Sequence, residues 1–465
     1  MDPLNDTLIP NQQLSLPEKY AHLTPEEYIQ ALIDFIEKHR RWTTSHVVDF
    51  ITLNHWEILP EKWRHVLLPT NESINEDEWV DSIMKITTGS NNEQWPESLR
   101  TFIRDAQEIS LPRITNINQI KSELHKRILA DIQIKVERMT PVIHKIAKDQ
   151  NVNSIVDLGA GQGYLSRSLA FKNHFKVLAV DSSEIQTCGA KKFDKKVIKS
   201  LGEDVLKLHH VTDFITPDNA SHILSKWSSS HQDEKWLLCG LHTCGDLATM
   251  MLRLFTSSPE MTCFVDVGCC YHFLTEDLDS RKVVKDTGFP VSHYVQKTGF
   301  KLGSTAKMLS CQAPARWLNK QNETLEAYEH HFYRALLHLM MVEKGLTDIS
   351  VAPIIGRLNK KKDFVSFPIY VKAALRRLNI PENTFSDEES ENYYNIYKQK
   401  QVDKQIIIFW TLRVLLAPVI ESLILMDRWL YLYNTIEDSP TKNVWLWPLF
   451  DPVISPRNMV LAATK

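Results

Sequence analysis

Three glycines at alternate positions, Gly159, Gly161 and Gly163, follow a short apolar segment that ends in Asp157 and Leu158. Glycine lets a backbone turn tightly and approach a ligand closely, and a helix that begins after such a loop presents free amide donors. An acidic residue directly before the loop suits a cationic ligand better than the pyrophosphate of a dinucleotide. The pattern therefore predicts a binding loop for a ligand that carries positive charge.

Two more acids occupy equivalent places further along. Asp181 ends the apolar segment Lys176–Asp181, and Asp213 follows a third segment. A carboxylate at the position of Asp181 commonly accepts hydrogen bonds from ribose hydroxyls. S-adenosylmethionine, with a sulfonium, an amino group and a ribose, fits three such acids around a glycine loop. The alternative is that Asp181 and Asp213 only cap the helices that follow them. We assign cofactor binding to Asp157, Gly159, Gly161, Gly163, Asp181, Asp213 and Gly240.

A fourth apolar segment, Trp236–Gly240, leads to His242, Cys244 and Asp246. An imidazole of near-neutral pKa can remove a proton from an amine, a hydroxyl or a ring nitrogen, and Asp246 could orient that ring. We therefore assign His242 and Asp246 as catalytic candidates. The alternative is a structural histidine at the end of a strand.

The seven cysteines lie in the middle of the chain, and their odd number argues against a disulfide framework. Zinc prefers four nitrogen or sulfur ligands, and His242, Cys244, Cys269, Cys270 and His272 could converge. Adjacent cysteines on a strand point to opposite faces, so only one of Cys269 and Cys270 should point inward. We assign no metal and expect packed free thiols.

These residues need a sheet to position them. Short apolar segments separated by helix-length stretches predict a parallel sheet wound with helices, with ligands bound beyond the carboxyl ends of the strands.

Other parts of the chain are predicted to be helical. Residues from Thr24 to Ile86 have helical periodicity. The apolar stretch Ile406–Leu425 is long enough for a membrane span, but Arg413 and Glu421 favour a core-facing helix. Two final segments around Trp447 and Val460 predict a hairpin.

Composition limits the function classes. The chain has 465 residues, 43% of them hydrophobic and 24% charged, with a net charge of -3. This length suggests two or three packed units, and the near-neutral charge excludes a global positive field for nucleic acid or anionic membrane. The first residues lack the pattern of a secretory signal, so we expect a cytoplasmic or nuclear location.

Four motifs together resemble the methyltransferase-like protein 25 family, and the length favours its 25B branch, also described as ribosomal RNA adenine dimethylase domain-containing. The resemblance covers most of the chain. The motifs are the glycine loop, Leu241–Leu247 with its His-Thr-Cys-Gly-Asp, Val267–Tyr271 with its Gly-Cys-Cys-Tyr, and Leu449–Asn458.

The resemblance implies a class I, Rossmann-like methyltransferase fold: a seven-stranded α/β sheet completed by a C-terminal hairpin. It implies S-adenosylmethionine as cofactor. We expect an N-terminal helical unit over 1–116, the first part of the methyltransferase core over 117–270, a mainly helical insertion over 271–401 that shapes the substrate site, and a closing helix and hairpin over 402–465.

The sequence does not decide whether the methyl acceptor is RNA or a protein side chain. Enzymes that methylate an exocyclic base nitrogen carry an Asn or Asp, two prolines and an aromatic residue after the fourth strand, and this chain lacks them. That departure weakens the adenine dimethylase interpretation.

The alternative function is a non-catalytic scaffold that keeps the methyltransferase fold and binds partners. The sequence does not predict the oligomeric state.

Overall fold

The computed structural model describes residues 8–68, 75–90, 92–114, 131–201, 207–216, 218–225, 227, 234–277 and 287–465. The strands are β1 (Ser154–Leu158), β2 (Lys176–Asp181), β3 (Leu208–Thr212), β4 (Trp236–Cys244), β5 (Met261–Cys269), β6 (Asn443–Pro448) and β7 (Met459–Thr464). The α-helices are Pro25–Lys38, Arg40–Thr44, Glu61–Leu67, Glu76–Lys85, Glu97–Glu108, Asp131–Asp149, Tyr164–Arg167, Glu184–Leu201, Ala220–Ser225, Asp246–Ser257, His293–Thr298, Ser304–Ser310, Gln321–Glu343, Phe367–Arg377, Asp387–Gln399, Val402–Val414 and Leu416–Thr435.

The seven strands form one sheet in the order β3-β2-β1-β4-β5-β7-β6. The first five are parallel, and β7 runs antiparallel to both β5 and β6. This is the class I methyltransferase sheet. The expectation that the terminal hairpin completes the sheet that begins near Ser154 is confirmed.

The central strands are apolar because both of their faces are covered. All five residues of β1 are buried, as expected for a parallel strand between two helical layers. On one face, Met139 and Ile143 of helix Asp131–Asp149 pack in a cluster with Ile155 and Val265. The sheet is thereby fixed at its centre, and its carboxyl edge is left for polar residues.

Strand β4 is longer than expected. The sequence predicts its end at Gly240, but pairing with β5 continues to Cys244. Gly240 pairs with Asp266 and Thr243 with Gly268, so β4 uses one residue more than β5 over this step, which is a β-bulge. His242 therefore lies in the bulge and Cys244 beyond it, both within the strand instead of in a loop after it.

The closing helix is interrupted. A single helix from Ile406 to about Tyr433 is expected, whereas the chain forms Val402–Val414 and then Leu416–Thr435. Pro418 has no amide hydrogen to donate to the carbonyl of Val414, which accounts for the break. Length and composition alone would let the segment Val402–Thr435 cross a membrane, but 89% of its most apolar window is buried, as in a core helix.

The chain forms two compact units. The first consists of Met1–Asp34, Glu108–Cys311 and Pro418–Lys465, and the second of Phe35–Gln107 and Gln312–Ala417. This grouping differs from the four segments expected from the sequence, because part of the N-terminal helical segment and the described residues of 271–277 and 287–311 belong to the same unit as the sheet.

The second unit is helical in its described residues. Its buried Arg413 donates to the backbone carbonyls of Trp42 and Thr43 at 2.7 and 3.3 Å. These bonds satisfy a charged group inside an apolar helix, which agrees with a core-facing position.

Candidate functional site

The glycine loop follows β1 as expected, and its backbone requires glycine. Gly159, Gly161 and Gly163 have φ values of 72°, 55° and 73°, in the left-handed region that residues with a Cβ avoid. The amides of Gly159 and Ala160 donate to the carbonyl of Val180 at 2.9 and 3.1 Å. The loop is thus tied to the end of β2.

Asp181 holds the middle of this loop. The amide of Gly161 donates to Asp181 Oδ2 at 2.9 Å, and the amide of Ser183 donates to Oδ1 at 2.8 Å. Asp181 therefore has the capping role considered as the alternative. Each carboxylate oxygen can accept a further hydrogen bond. A Cβ added at Gly161 would meet no atom within 4 Å, so the space beside the loop is open.

Asp157 lies beneath the loop. It is 2% exposed and accepts a hydrogen bond from the hydroxyl of Ser166. Burial raises the pKa of Asp157 to about 6, and the nearby Asp181 carboxylate acts in the same direction. The two acids predicted from the sequence are therefore close enough to interact, and Asp157 is almost fully buried.

Asp213 follows β3 on the same edge of the sheet. Its carboxylate accepts from the amide of Phe214 at 2.7 Å, and its own amide donates to the carbonyl of Asp181 at 3.3 Å. Two large apolar side chains at this edge are exposed: Phe214 at 60% and Ile185 at 83%. Neither side chain was predicted from the sequence, although Phe214 directly follows Asp213.

Gly240 has a packing role in the structure. A Cβ there would approach Thr243 Cγ2 to 2.4 Å and the carbonyl oxygen of Leu158 to 3.2 Å. Glycine thus permits the close approach of β4 to β1 beside the bulge.

A buried ionic group supports the far end of the loop and was not predicted. Asp194 lies 3.0 Å from Arg167 Nη1 and 2.7 Å from His210 Nε2. Burial would raise the pKa of Asp194, but its hydrogen bonds with His210 and Arg167 bring it below the ordinary value. The ring of His210 also lies against Gly163, where an added Cβ would be 2.7 Å from its Cε1.

His242 is exposed in β4, and its Nε2 lies 3.4 Å from the ammonium nitrogen of Lys135. Desolvation and the Lys135 charge lower the pKa of His242 to about 4. The ring is therefore neutral at pH 7 and accepts from Lys135. The near-neutral pKa expected for a proton-accepting imidazole is not found, because desolvation first and the cation beside the ring second disfavour protonation.

The expected pairing of Asp246 with His242 is not formed. Asp246 begins helix Asp246–Ser257, and its carboxylate accepts from the amide and hydroxyl of Thr275 at 2.8 and 2.7 Å. Both oxygens are thus used to anchor the segment after β5. Thr275 lies 29 positions away in sequence, so no local spacing indicated this partner.

The cysteines converge more closely than expected. The sulfur of Cys244 lies 3.3 Å from the sulfurs of both Cys269 and Cys270. Cys269 ends β5, but Cys270 has a left-handed φ of 52°, which ends the strand alternation and brings its side chain to the same side. The prediction that only one of the two would point inward is therefore wrong. Hydrogen bonds with the two neighbouring thiols lower the pKa of Cys244.

A buried network lies directly behind this cluster. The Tyr271 hydroxyl donates to Glu421 Oε1 at 2.9 Å, and Glu421 Oε2 lies 2.8 Å from Arg113 Nη2 and 2.5 Å from Arg457 Nη1. The Arg457 guanidinium also lies over the Tyr271 ring at 5.3 Å. The second cysteine motif and the closing Leu449–Asn458 motif are therefore parts of one structure.

Comparison with known proteins agrees with this architecture. Residues 130–277 match the family described as Methyltransferase domain. Human "Probable methyltransferase-like protein 25" is 33% identical over 68% of this chain and 52% of its own length. The mouse protein of the same name is 27% identical over 95% of this chain and 97% of its own. The chain thus spans about half the length of the human relative.

Two solved methyltransferases are more distant. The plantazolicin methyltransferase BamL, bound to a triazolic desmethylPZN analog and SAH, is 15% identical over 42% of this chain and 60% of its own, with a TM-score of 0.21. Coclaurine N-methyltransferase, bound to N-methylheliamine and SAH, is 12% identical over 95% and 93%, with a TM-score of 0.25. The chain has a methyltransferase domain, the class I methyltransferase fold and homologues in the methyltransferase-like protein 25 family; assignment to the 25B branch stays a prediction.

Proposed function

We propose that this chain is an S-adenosylmethionine-dependent methyltransferase that acts on RNA. The observation that carries the proposal is the open space beside Gly161, bordered by an Asp181 carboxylate that the loop itself holds in place. Asp181 retains acceptor capacity for ribose hydroxyls. Exposed Ile185 and Phe214 follow the ends of β2 and β3, where they offer apolar surface for an adenine ring.

The charge of the loop region supports the same cofactor. Asp157 lies beneath the loop, and Asp181 and Asp213 lie at neighbouring strand ends, so a ligand in the open space would experience a negative field. S-adenosylmethionine would supply an activated methyl group on a cationic sulfur. The protein would bind the cofactor, orient the acceptor toward that methyl group and exclude competing nucleophiles.

On the acceptor side, His242 and Lys135 are the polar groups we propose to contact the substrate. Neutral His242 carries one ring hydrogen, and because Nε2 accepts from Lys135, Nδ1 is left to donate. The pair would therefore position an acceptor by hydrogen bonding, and the released proton would pass to solvent.

RNA is favoured over protein by a basic cavity in the second unit. The cavity has a volume of about 670 Å³ and is lined by the cationic side chains of Arg334, Arg357, Lys360, Lys361 and Arg377. No carboxylate among the residues that the structure describes forms an ion pair with any of the five. Several cations around a cavity fit a phosphate backbone.

The cofactor part of the proposal is tested by calorimetric titration with S-adenosylmethionine. Asp181→Ala should raise the Kd about tenfold to a hundredfold, because hydrogen bonds to a charged group contribute about 1.5–3 kcal/mol each. Asp348→Ala, which removes an exposed carboxylate in the second unit, should leave the Kd unchanged. Absence of binding by the wild-type protein would favour the non-catalytic scaffold instead.

The acceptor part is tested separately by transfer of labelled methyl groups into fractionated cell extract. We expect label that ribonuclease removes and protease does not, and we expect Asp181→Ala to lose it. Label found only in protein would refute the RNA acceptor while leaving cofactor use intact.

RNA binding has its own measurement, the salt dependence of affinity for a short single-stranded RNA. The double variant Lys360→Ala/Lys361→Ala should bind more weakly and reduce the magnitude of the slope of log affinity against log salt by about 1.4, since each contact to a single strand contributes about 0.7. Exposed Lys62 lies elsewhere in the same unit, so Lys62→Ala is the matched control. An equal slope for both variants would exclude the cavity as the RNA contact.

A further inference from the structure

The cysteine cluster, Cys244, Cys269 and Cys270, has the composition and spacing of a metal site. The three sulfur atoms all lie within 4.8 Å of one another, and two of their separations are 3.3 Å. Three thiols in mutual contact are not explained by packing alone, since apolar side chains would fill the same volume without a polar group.

The backbone builds this cluster in two ways. Cys244 and Cys269 are register partners at the ends of β4 and β5, which places their side chains together. Cys270 has φ 52° and ψ 48°, a conformation that is costly for a residue with a Cβ. Tyr271, anchored through Glu421, fixes the chain immediately after this turn.

The distances suit a tetrahedral ion. With zinc–sulfur bonds near 2.3 Å, tetrahedral geometry separates neighbouring sulfur atoms by about 3.8 Å. Binding would therefore require the two 3.3 Å contacts to open by only a few tenths of an ångström. An all-thiolate donor set is soft, which selects zinc over magnesium, calcium or manganese.

Within the part of the chain that the structure describes, no fourth metal-binding side chain joins the three cysteines. His272 is the histidine next to the cluster in sequence, but its Nδ1 lies 3.3 Å from the sulfur of Cys311. Cys244 is exposed and Cys270 is partly exposed, so solvent can reach the cluster. Three protein ligands with an open position are the arrangement of zinc sites that bind a water or an exchangeable ligand.

We propose that Cys244, Cys269 and Cys270 bind one Zn²⁺ through three thiolates, with the fourth position open to solvent. The site would lie on the carboxyl edge of the sheet, between the ends of β4 and β5, one strand away from the β1 loop. Metal binding does not depend on the proposed function, so each can fail while the other holds.

The test is the zinc content of the full chain purified under reducing conditions, measured by mass spectrometry of the metal. The wild-type protein should carry about one ion per chain. Cys270→Gly is the most informative variant, because glycine accepts the left-handed backbone and the fold should survive loss of the sulfur. Its zinc content should fall by more than about tenfold.

A control variant and two further measurements, cobalt absorption and thermal unfolding, exclude indirect effects on zinc content. Cys188→Ser removes an exposed cysteine outside the cluster and should keep the ion. Substitution by Co²⁺ should give a thiolate-to-metal charge-transfer band in wild type and in Cys188→Ser, and a weaker band in Cys270→Gly. Thermal unfolding should shift downward with a chelator in wild type but not in Cys270→Gly, since an ion that binds only the folded state stabilises it.

The proposal is overturned by either of two results. One is a reduced wild-type protein that takes up neither zinc nor cobalt. The other is equal metal content in wild type, Cys188→Ser and Cys270→Gly, which would place the ion elsewhere.

Discussion

The amide of Gly161 donates to the carboxylate of Asp181 at 2.9 Å, and this side-chain contact adds to the two backbone hydrogen bonds to Val180 that join the loop after β1 to the end of β2. The same carboxylate that would receive a ribose also holds the loop in its open conformation. A substitution at either Gly161 or Asp181 should therefore change both the affinity for the cofactor and the order of the loop.

Gly161→Ala should abolish cofactor binding while leaving the fold nearly intact. Its Cβ would meet no protein atom within 4 Å and would project into the open space that we assign to the ligand. Left-handed backbone strain of about 1–2 kcal/mol is the expected stability loss. Gly345→Ala, at φ 70° with no atom within 4 Å, carries the same strain away from the loop. Titration of both variants should show loss of binding only for Gly161→Ala.

Gly163→Ala should act mainly on stability. Its Cβ would lie 2.7 Å from Cε1 of His210 at φ 73°, so steric overlap adds to backbone strain. We expect a loss of about 2–4 kcal/mol in the free energy of unfolding, measured in urea. In a His210→Ala background the effect of Gly163→Ala should become smaller. An equally large effect in that background would show that the His210 contact is irrelevant.

Asp266→Asn should stabilise the protein at neutral pH. Asp266 is buried in β5 and accepts from the Thr243 hydroxyl at 2.7 Å, and burial raises its pKa to about 6. The carboxyl therefore binds more protons in the folded than in the unfolded chain between about pH 4 and pH 6, and its contribution to stability falls as pH rises through that window. At pH 7.5 the gain in unfolding free energy should be about 1–3 kcal/mol.

The pH profile distinguishes this mechanism from improved packing. The difference in stability between Asp266→Asn and wild type should be near zero below about pH 4, grow to about pH 6 and then stay constant. Asp218→Asn changes an exposed carboxyl and should give a small difference at every pH. A gain from Asp266→Asn that persists unchanged at low pH would contradict the ionisation argument.

Glu421→Gln should be strongly destabilising. Glu421 is 4% exposed and is the shared partner of Arg113 and Arg457, so the substitution removes a buried carboxylate that pairs with two guanidinium groups. Breaking a buried ion pair costs about 3–5 kcal/mol. Glu382 forms an exposed pair with Arg376, and Glu382→Gln should have little effect on stability because solvent screens the pair. Urea unfolding of both variants gives the comparison.

The central sheet was predictable because its strands are buried on both faces. Lys176–Asp181 was expected and found with the same bounds, and β1 differs by one residue. Continuous apolar runs identify such strands without knowledge of their neighbours. The glycine loop was predictable for a related reason, since three positive φ values leave little choice of residue.

The acceptor side was not predictable, because its geometry depends on contacts distant in sequence. The bulge in β4 is visible only in the pairing of Thr243 with Gly268. Asp246 bonds to Thr275 instead of His242. The left-handed turn at Cys270 cannot be inferred from its residue type, since cysteine has no preference for that region.

Strand β7 lies between β5 and β6 in the sheet, although it is the last of the seven in the chain. During synthesis, β5 therefore has an unpaired edge until Met459–Thr464 leave the ribosome. An unpaired apolar edge is a template for association between chains. We therefore expect a chain released before Met459–Thr464 are made to carry an unpaired β5 edge and to aggregate more readily than the complete protein.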